Sequence, residues 1–457
     1  KIAIPPLNGK EIEIDSNGLE YVLRTSATAQ GFSLKNIAFF NGGGTIGDVT
    51  APVVINGQNF NLDNIVSGAR ADGSRPEDSS LNRRYGLVIN ASGTLKDSYI
   101  AYNGSGLLLT GNTIDVNRII VLDNGIGPSG TDGNGVSIVS PAISVTLRNS
   151  IVESNGANHA GVTHGNGVYT QGDKLTLLEN TTIVDSTASA ISLNESVGAV
   201  IRKSIVNGSL SGPGIRVSSD SSYGDFSLNS FGDNRGLAID LLRSPSSDII
   251  EGVNPNDGLL NANYGNMGID HPVIALATRS GSALSIQGFV GQNAPSAVFA
   301  SSVVQIYSAR AGDGDSYSGE DYGEGINYLG SLTVDSQGNF EGNVSPVSED
   351  TKVITAITRY ESFSNVLGIP AYASSEFGPN KSVGSGLKIS GYVYEDLNFN
   401  RTRDYAEPGI AGVRLKLWKF DGSGWTFQSY TQTDNEGFYS FDVSQGTYRV
   451  VEDAQNL

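Results

Sequence analysis

The chain has 457 residues, 58 of them glycine, and this length accommodates about three domains. Its formal net charge of −18 leaves no electrostatic footprint for nucleic acid or for an anionic membrane surface, which excludes both partners. Cysteine is absent, which excludes disulfides, thiol catalysis and cysteine-based zinc sites. No apolar run approaches the roughly 20 residues of a membrane span. The chain starts without a signal peptide and ends without a sorting signal, so we expect it to be part of a longer protein.

The first 240 residues repeat. Short apolar runs rich in β-formers recur after a small residue, and the spacings between their starts are 20, 29, 32, 23, 24 and 24 residues. A second strand follows in each unit, as in LKDSYI or LRNSIV. We expect the small residues to stack on successive coils. They are Gly86, Gly106, Gly135, Gly167 and Gly214, and Ala190 and Ala238 open units as well.

An Asn-Gly pair closes many of these units. Because Asn tolerates left-handed backbone and Gly adopts it freely, we expect the asparagines to form sharp corners. Their side chains can also bond to the copies above and below. The pairs begin at Asn41, Asn103, Asn124, Asn155 and Asn207.

A period of 20 to 32 residues suits a parallel β-helix, whereas a β-propeller needs about 40 or more residues per unit. The repeat resembles the right-handed parallel β-helix proteins of bacterial surfaces. That group includes polysaccharide lyases and hydrolases as well as non-enzymatic passengers and adhesins, so the resemblance implies a fold and leaves the chemistry open. We assign residues 1–245 to this β-helix, with 1–25 as its cap.

Three insertions, 67–85, 125–134 and 156–166, interrupt the period after the second strand of a unit. Insertions at the same position of successive solenoid repeats lie on one flank, which is often the binding face. We therefore predict a glycan groove there. Its charged residues would be Arg83, Arg84, Asp132, His159 and His164.

Residues 246–280 are predicted as an exit segment, and they resemble a stretch that follows such repeats in bacterial surface proteins. Amides and carboxylates around it would hold turns, with a cation as the second possibility. They are Asp240, Asn256, Asp257, Asn261, Asn263 and Asp270.

Residues 281–383 have longer alternating strands, which predict an immunoglobulin-like antiparallel sandwich. One loop of this region, GDGDSYSGEDYGEG, carries five carboxylates within twelve residues. They either repel one another in solvent or share a hard cation such as calcium. They are Asp313, Asp315, Glu320, Asp321 and Glu324.

Residues 384–457 carry several motifs in order: GYVYED, EPGIAGVRL, TDNEGFYSF and GTYRVVE. They resemble the SdrD B-like and Cna-B-like repeat domains of bacterial surface proteins. The resemblance implies a β-sandwich, and we expect its last strand to continue beyond Leu457. It also raises a Lys–Asn isopeptide bond from a lysine such as Lys388, which we do not expect within this chain.

An acidic loop in this third domain has the ligand spacing of an EF-hand. Counting Asp396 as position 1, oxygen donors fall at positions 3, 5, 7, 9 and 12. We therefore predict a structural Ca²⁺ site. Arg401 stands where glycine normally makes the turn, and neutral asparagines fill positions 3 and 5; both should weaken binding. The alternative is a metal-free turn. The six ligands would be Asp396, Asn398, Asn400, Thr402, Asp404 and Glu407.

The sequence leaves two classes of function open. A secreted lyase or glycoside hydrolase would need a general base or a pair of carboxylates in the groove, and the candidates stand in no recognisable motif. They are Asp123, Asp132, Glu153, His159 and His164. We favour an extracellular structural or adhesive protein of the cell surface, such as a sheath, surface-layer or fibre component. Its partners would be a glycan or neighbouring subunits, and self-assembly is possible.

Overall fold

The computed structural model is almost entirely β-structure. It describes residues 12–42, 51–77, 85–125, 133–156, 165–243, 252–312, 315–385, 387–405, 407–420, 422–443 and 446–453. Two 3₁₀ segments, Gly265–Gly268 and Ala297–Phe299, are the helical elements of these ranges. Contacts divide the chain into two units. One is Lys1–Ala275 with Gly288–Glu341 and Lys352–Lys381, and the other is Leu276–Gln287 with Gly342–Thr351 and Ser382–Leu457.

A parallel β-helix with three faces fills most of the first unit, which confirms the predicted fold. We call its nine-stranded sheet the first face. The strands of this face, in order along the helix, are Leu23–Arg24, Val53–Ile55, Tyr85–Ile89, Ser105–Leu109, Val136–Val139, Val168–Gln171, Ile191–Asn194, Ile215–Val217 and Ile239–Leu241.

One 14-stranded sheet forms the other two faces, joined by the long strands Ser33–Phe40 and Phe60–Ser67. The second face has Gly93–Lys96, Thr113–Asn117, Ser144–Arg148, Leu177–Glu179 and Val200–Arg202. The third face has Ile12–Asp15, Tyr99–Ala101, Ile120–Leu122, Ile151–Glu153, Thr182–Val184, Ile205–Asn207 and Ser230–Gly232.

The small residues that start the repeats stack as predicted. Leu107 pairs with Val136 in register, which places Gly106 beside Gly135 on the next coil. A Cβ on Gly106 would lie 2.2 Å from the Gly135 carbonyl oxygen, closer than real Cβ atoms come to backbone. Glycine is therefore required here because the next coil approaches so closely. The backbone of Gly106 itself is not left-handed.

The predicted asparagine ladder forms inside the corner between the third and first faces. The Nδ2 of Asn103 donates to Asn124 Oδ1 at 3.1 Å, and the Nδ2 of Asn124 donates to Asn155 Oδ1 at 3.0 Å. The expected left-handed backbone is found at Asn41 but not at these three asparagines. The preceding residue takes that conformation instead, at Tyr102, Asp123 and Ser154, because the asparagine must point inward to reach its neighbours.

The far end of the β-helix is capped by an antiparallel sheet of the same unit. Tyr307, Ile357 and Phe377 belong to the same hydrophobic core as the coil interior. Arg359 donates two hydrogen bonds to the Asp225 carboxylate of the coil, at 2.9 and 2.7 Å. This cap covers the apolar cross-section that a solenoid would otherwise leave open.

The capping sheet has the order Asn327–Thr333, Val303–Ala309, Val353–Ser364 and Ile369–Ser374, with Lys381–Ser382 beside the third of these. A hairpin is formed by Asp315–Tyr317 and Glu320–Tyr322. The strands Pro272–Ser280, Ala283–Val290, Asn339–Val344 and Gly384–Ser385 form another sheet. Antiparallel sheets thus follow the β-helix, as predicted.

The C-terminal domain has two small antiparallel sheets. Leu387–Tyr392 pairs with Phe438–Val443, and Arg414–Phe420 lies between Trp425–Gln432 and Thr447–Glu452. Leu415, Leu417 and Phe441 are buried between them. Lys388 lies opposite Asp442 in this pairing.

Strands also occur in the two segments that we assign to the cap and to the exit segment. Ile12–Asp15 already pairs with Ile37–Phe40, inside the segment 1–25 that we expect to be a cap. Pro272–Ser280 lies inside the segment 246–280 that we expect to be an exit loop. The first strand lacks the glycine marker of later coils, and the second begins at a proline, so neither carries the pattern that identifies its neighbours.

A buried glutamate joins the last coil to the exit segment. Glu376 Oε1 accepts from the Leu241 N–H at 2.9 Å, and Oε2 accepts from the Asn254 N–H at 2.7 Å. Burial, together with the nearby Asp240 carboxylate, raises the pKa of Glu376 from 4.5 to about 8. The folded state therefore holds this proton more tightly than the unfolded chain does.

This pKa shift gives a testable pH dependence. A raised folded pKa contributes stability that is complete below about pH 4.5 and is lost as pH rises through about 8. Glu376→Gln should flatten the melting temperature across this window, while the lost acceptor costs about 1–3 kcal/mol. Thermal melts from pH 5 to 8 measure both effects, with the exposed Glu361→Gln as control. An unchanged pH slope in Glu376→Gln would contradict the assignment.

Candidate functional site

A groove of about 800 Å³ lies along the outer surface of the first face. Its floor is made by strand residues that alternate with the buried core. Val168 and Thr170 point into the coil and are fully buried, whereas Tyr169 and Gln171 point outward. The alternation follows from the two-residue period of a strand, so each coil places one or two side chains on the floor.

The floor residues form a column in register. Leu108 pairs with Ser137, Ser137 with Tyr169, Tyr169 with Ser192, and Ser192 with Arg216. Neighbouring strands lie about 4.8 Å apart, so the column is about 19 Å long. A second column beside it contains Val139, Gln171 and Asn194.

One wall of the groove is the turn that precedes each strand of the first face. Asn166 Nδ2 donates to Asn134 Oδ1 at 3.1 Å, and Asn134 Nδ2 donates to Ser137 Oγ at 3.3 Å. Tyr85 lines the same groove. Tyr85, Asn134 and Asn166 are the last residues of the three predicted insertions, so these C-terminal ends share one flank.

The described lining is a mixture of polar and apolar groups and is almost uncharged. Arg216 is its one charged side chain, and Asp240 lies beside it on the next strand. The lining consists of Tyr85, Leu108, Thr110, Asn134, Ser137, Val139, Asn166, Tyr169, Gln171, Ala188, Ser189, Ser192, Asn194, Ser211, Gly212, Pro213 and Arg216. The sequence interpretation missed this floor because its members are ordinary outward strand residues; only the two-residue alternation marks them.

The charged residues that we predict for the groove lie outside the described residues. They fall in the segments 78–84, 126–132 and 157–164, which adjoin the described groove residues along the chain. They are Arg83, Arg84, Asp132, His159 and His164.

Two described candidates for catalysis, Asp123 and Glu153, belong to the third face and do not line the groove. Burial raises the pKa of Asp123, and the Arg75 charge opposes that rise. Both carboxylates contribute to the raised pKa of the buried Tyr99 hydroxyl, for which burial is the main cause. The fold thus separates these two carboxylates from the groove.

The amides and carboxylates of the exit segment hold turns. Asp270 accepts from the N–H groups of Asp257 and Gly258, at 3.2 and 2.8 Å. Asn256 Nδ2 donates to the carbonyls of His271 and Gly291. Burial raises the pKa of Asp270 to about 6.

The loop at 396–407 is organised around its predicted ligands. Asp396 accepts from the N–H groups of Asn400 and Arg401, at 3.1 and 2.8 Å. Glu407 is buried, and its two oxygens accept from the N–H groups of Leu397 and Asp404, both at 3.0 Å. These bonds curl the loop around its own carboxylates.

Arg401 adopts the left-handed conformation, with φ of 64°, at the position where glycine is usual. The turn therefore forms without glycine, and the cost is roughly 1–2 kcal/mol. Asp404 Oδ2 accepts from the amides of Asn398 and Asn400, both at 2.7 Å. The side chains at positions 3, 5 and 9 of the loop therefore meet at the Asp404 carboxylate.

The donor set suits calcium in type: carboxylates, amide oxygens and one carbonyl, with a glutamate at the last position. Within the described part of the chain, however, no three side chains of the His, Cys, Asp and Glu types converge as a metal group. Asp396, Asp404 and Glu407 are each engaged by backbone or amide N–H groups instead. A bound ion would draw on the asparagine oxygens and the Thr402 carbonyl as well.

The described carboxylates of the second acidic loop lie on a hairpin and beside Asn234. Asp315, Glu320 and Asp321 lie on the hairpin, whereas Glu324 accepts from the N–H and the side-chain amide of Asn234, at 2.9 and 2.7 Å. Burial raises the pKa of both Asp315 and Glu324. Asp313 lies outside the described residues.

Residues 387–456 match the SdrD B-like domain family, so this part of the chain is an SdrD B-like domain. None of the described helical segments is long and apolar enough to cross a membrane.

Three solved β-rich proteins are similar to this chain. The A-module of mannuronan C-5 epimerase AlgE6 from Azotobacter vinelandii is 14% identical, with a TM-score of 0.29, over 45% of this chain and 60% of that one. Tailspike protein 2 of Escherichia coli O157:H7 bacteriophage CAB120 is 8% identical, with a TM-score of 0.31, over 80% and 64%. Tailspike gp49 of Acinetobacter baumannii bacteriophage Fri1, a capsular polysaccharide depolymerase, is 11% identical, with a TM-score of 0.21, over 78% and 68%. The chain thus spans about three fifths of the first two, and similarity this low says nothing about activity.

Proposed function

We propose that this chain is part of an extracellular structural or adhesive protein of the cell surface. The observation that carries the proposal is the SdrD B-like domain at 387–456, because such domains occur in surface proteins. The β-helix in front of it is a scaffold stabilised coil by coil, and its groove offers a place for adhesion.

Carbohydrate is the partner that the groove suits best. Its floor and walls present amides, hydroxyls and tyrosine rings, which can donate and accept hydrogen bonds to sugar hydroxyls. Its lining includes residues from five consecutive strands of the first face, so a polymer could span several coils. Neighbouring copies of the chain are the other proposed partner, as in a sheath, surface layer or fibre.

Binding without cleavage is the form of this proposal that the described residues favour. Glycoside hydrolysis requires two carboxyl groups flanking the scissile bond, and a lyase requires a base beside the sugar. The described lining holds no carboxylate, and Asp123 and Glu153 stand on another face. A polysaccharide lyase or hydrolase stays the alternative, with Asp132, His159 and His164 as its candidates outside the described residues.

Calcium completes the proposal for the terminal domain. The loop from Asp396 to Glu407 would hold one Ca²⁺ through the carboxylates, the two asparagine oxygens and the Thr402 carbonyl. All these groups come from the loop itself, so the ion would stabilise the domain and leave no position for a substrate. Its role would be to stiffen the domain and to resist proteolysis.

Surface location can be tested on intact cells of the source organism. Antibodies raised against residues 387–456 should label unbroken cells, and an external protease should remove that label. A cytoplasmic marker should stay unlabelled in the same cells. Labelling that appears only after lysis would contradict the proposal.

A further inference from the structure

We propose that the groove on the first face binds an uncharged polysaccharide, laid as an extended chain along the axis of the β-helix. This inference rests on the proposed adhesive function and names the partner class. It follows from the shape of the groove, from the charge of its described lining, and from the way in which its polar groups are held.

The shape favours a long, repeating ligand. The floor column from Leu108 to Arg216 crosses five strands, and each coil repeats the same backbone frame about 4.8 Å further along. A compact ligand would lie over one or two coils, whereas an extended polymer lies over all five and reaches the partly exposed Tyr169 and Arg216 among floor residues that are otherwise buried. Affinity should therefore grow with chain length until the column is covered.

The charge favours an uncharged ligand. The column carries one cation, Arg216, and its neighbour on the next strand is the carboxylate residue Asp240. An anionic chain lying on this column would therefore bury most of its charges without partners among the described floor residues, which costs free energy. The net charge of −18 would also slow its approach.

The polar groups are positioned before any ligand arrives. The Tyr169 hydroxyl donates to Gln171 Oε1 at 3.2 Å, and Asn194 Nδ2 donates to Ser192 Oγ at 3.1 Å. Groups fixed in this way lose less entropy on binding. Tyr169 stands in the middle of the column, and its ring offers an apolar face to the C–H surface of a sugar.

A peptide strand does not fit the same surface. The N–H and C=O groups of these strands are used in the parallel ladders on either side, so no free sheet edge is offered inside the groove. Main-chain pairing supplies most of the affinity when a peptide adds to a sheet. A ligand here must be bound by side chains, as hydroxyl-rich chains are.

The test is equilibrium binding of the whole chain to defined polysaccharides. Dextran, laminarin, mannan and galactomannan form the uncharged arm, and alginate and polygalacturonate form the anionic arm. We expect binding to at least one uncharged polymer, little change in Kd between 50 and 500 mM salt, and tighter binding of longer oligomers. Tyr169→Ala should weaken this binding at least tenfold, and Tyr21→Ala, an exposed tyrosine outside the groove lining, should not.

The outcomes separate the inference from the function on which it rests. Salt-sensitive binding of the anionic arm alone would overturn the uncharged-ligand inference and leave the adhesive function standing. Binding of an uncharged polymer that Tyr169→Ala does not weaken would place the ligand elsewhere and overturn the site. Failure of both arms would overturn the carbohydrate-binding function itself.

Discussion

Replacing Asn124 with alanine should destabilise the β-helix by about 3–5 kcal/mol. Asn124 is 1% exposed and lies inside a corner of the coil. Its Oδ1 accepts from the N–H and the Nδ2 of Asn103, both at 3.1 Å, and its Nδ2 donates to the Ile100 carbonyl and to Asn155 Oδ1. Alanine would leave several of these groups buried without partners, at about 1–3 kcal/mol each.

The matched control is Asn90→Ala. Asn90 also bonds to its neighbours on adjacent coils, through Asn56 and Thr110, but it is exposed, so water can replace the lost bonds. We expect a loss of at most about 1 kcal/mol there. Thermal and urea unfolding of both variants measure the difference. Equal losses would contradict the claim that burial makes the inner ladder essential.

Calcium should stabilise the SdrD B-like domain by about 2.7 kcal/mol at a hundredfold excess over its Kd. An ion would replace the repulsion among Asp396, Asp404 and Glu407 with attraction. Glu407→Gln should remove most of that gain, because it deletes a charged and bidentate ligand at position 12. The Glu407 oxygens also accept two backbone N–H bonds, so the variant should be less stable without calcium too.

Calorimetry of the whole chain, with calcium and with chelator, separates these effects. Glu436→Gln is the control, because Glu436 is exposed and outside the ligand set. The control should keep the calcium-dependent shift in the melting of this domain. The same melting curve with calcium and with chelator in the unmodified chain would mean that hydrogen bonds alone hold the loop.

The sequence predicts the β-helix well because its signals are local and periodic. The spacing of Gly86, Gly106 and Gly135 equals the coil length, since each coil needs a small residue where the next one approaches. The asparagine ladder is predictable for the same reason. The residue that takes the left-handed conformation at each corner cannot be predicted in this way. Either residue of a pair such as Asp123–Asn124 can adopt that backbone, and only the packing selects one.

The cap and the groove floor are harder to predict for different reasons. The cap depends on contacts between residues far apart in the chain, such as Phe226 with Ser374, and no local pattern records them. The floor depends on which side chains face outward on consecutive coils. Tyr169 and Ser192 become neighbours only once the register is known.

The most direct test of the account is to recover a polysaccharide after it has bound to the whole chain. We predict that an uncharged polymer is retained by the unmodified chain, is lost with Tyr169→Ala, and returns from the complex with its chain length unchanged. Size-exclusion chromatography of the released polymer gives that length. Shortened chains or unsaturated ends would contradict a binding function and make the β-helix an enzyme.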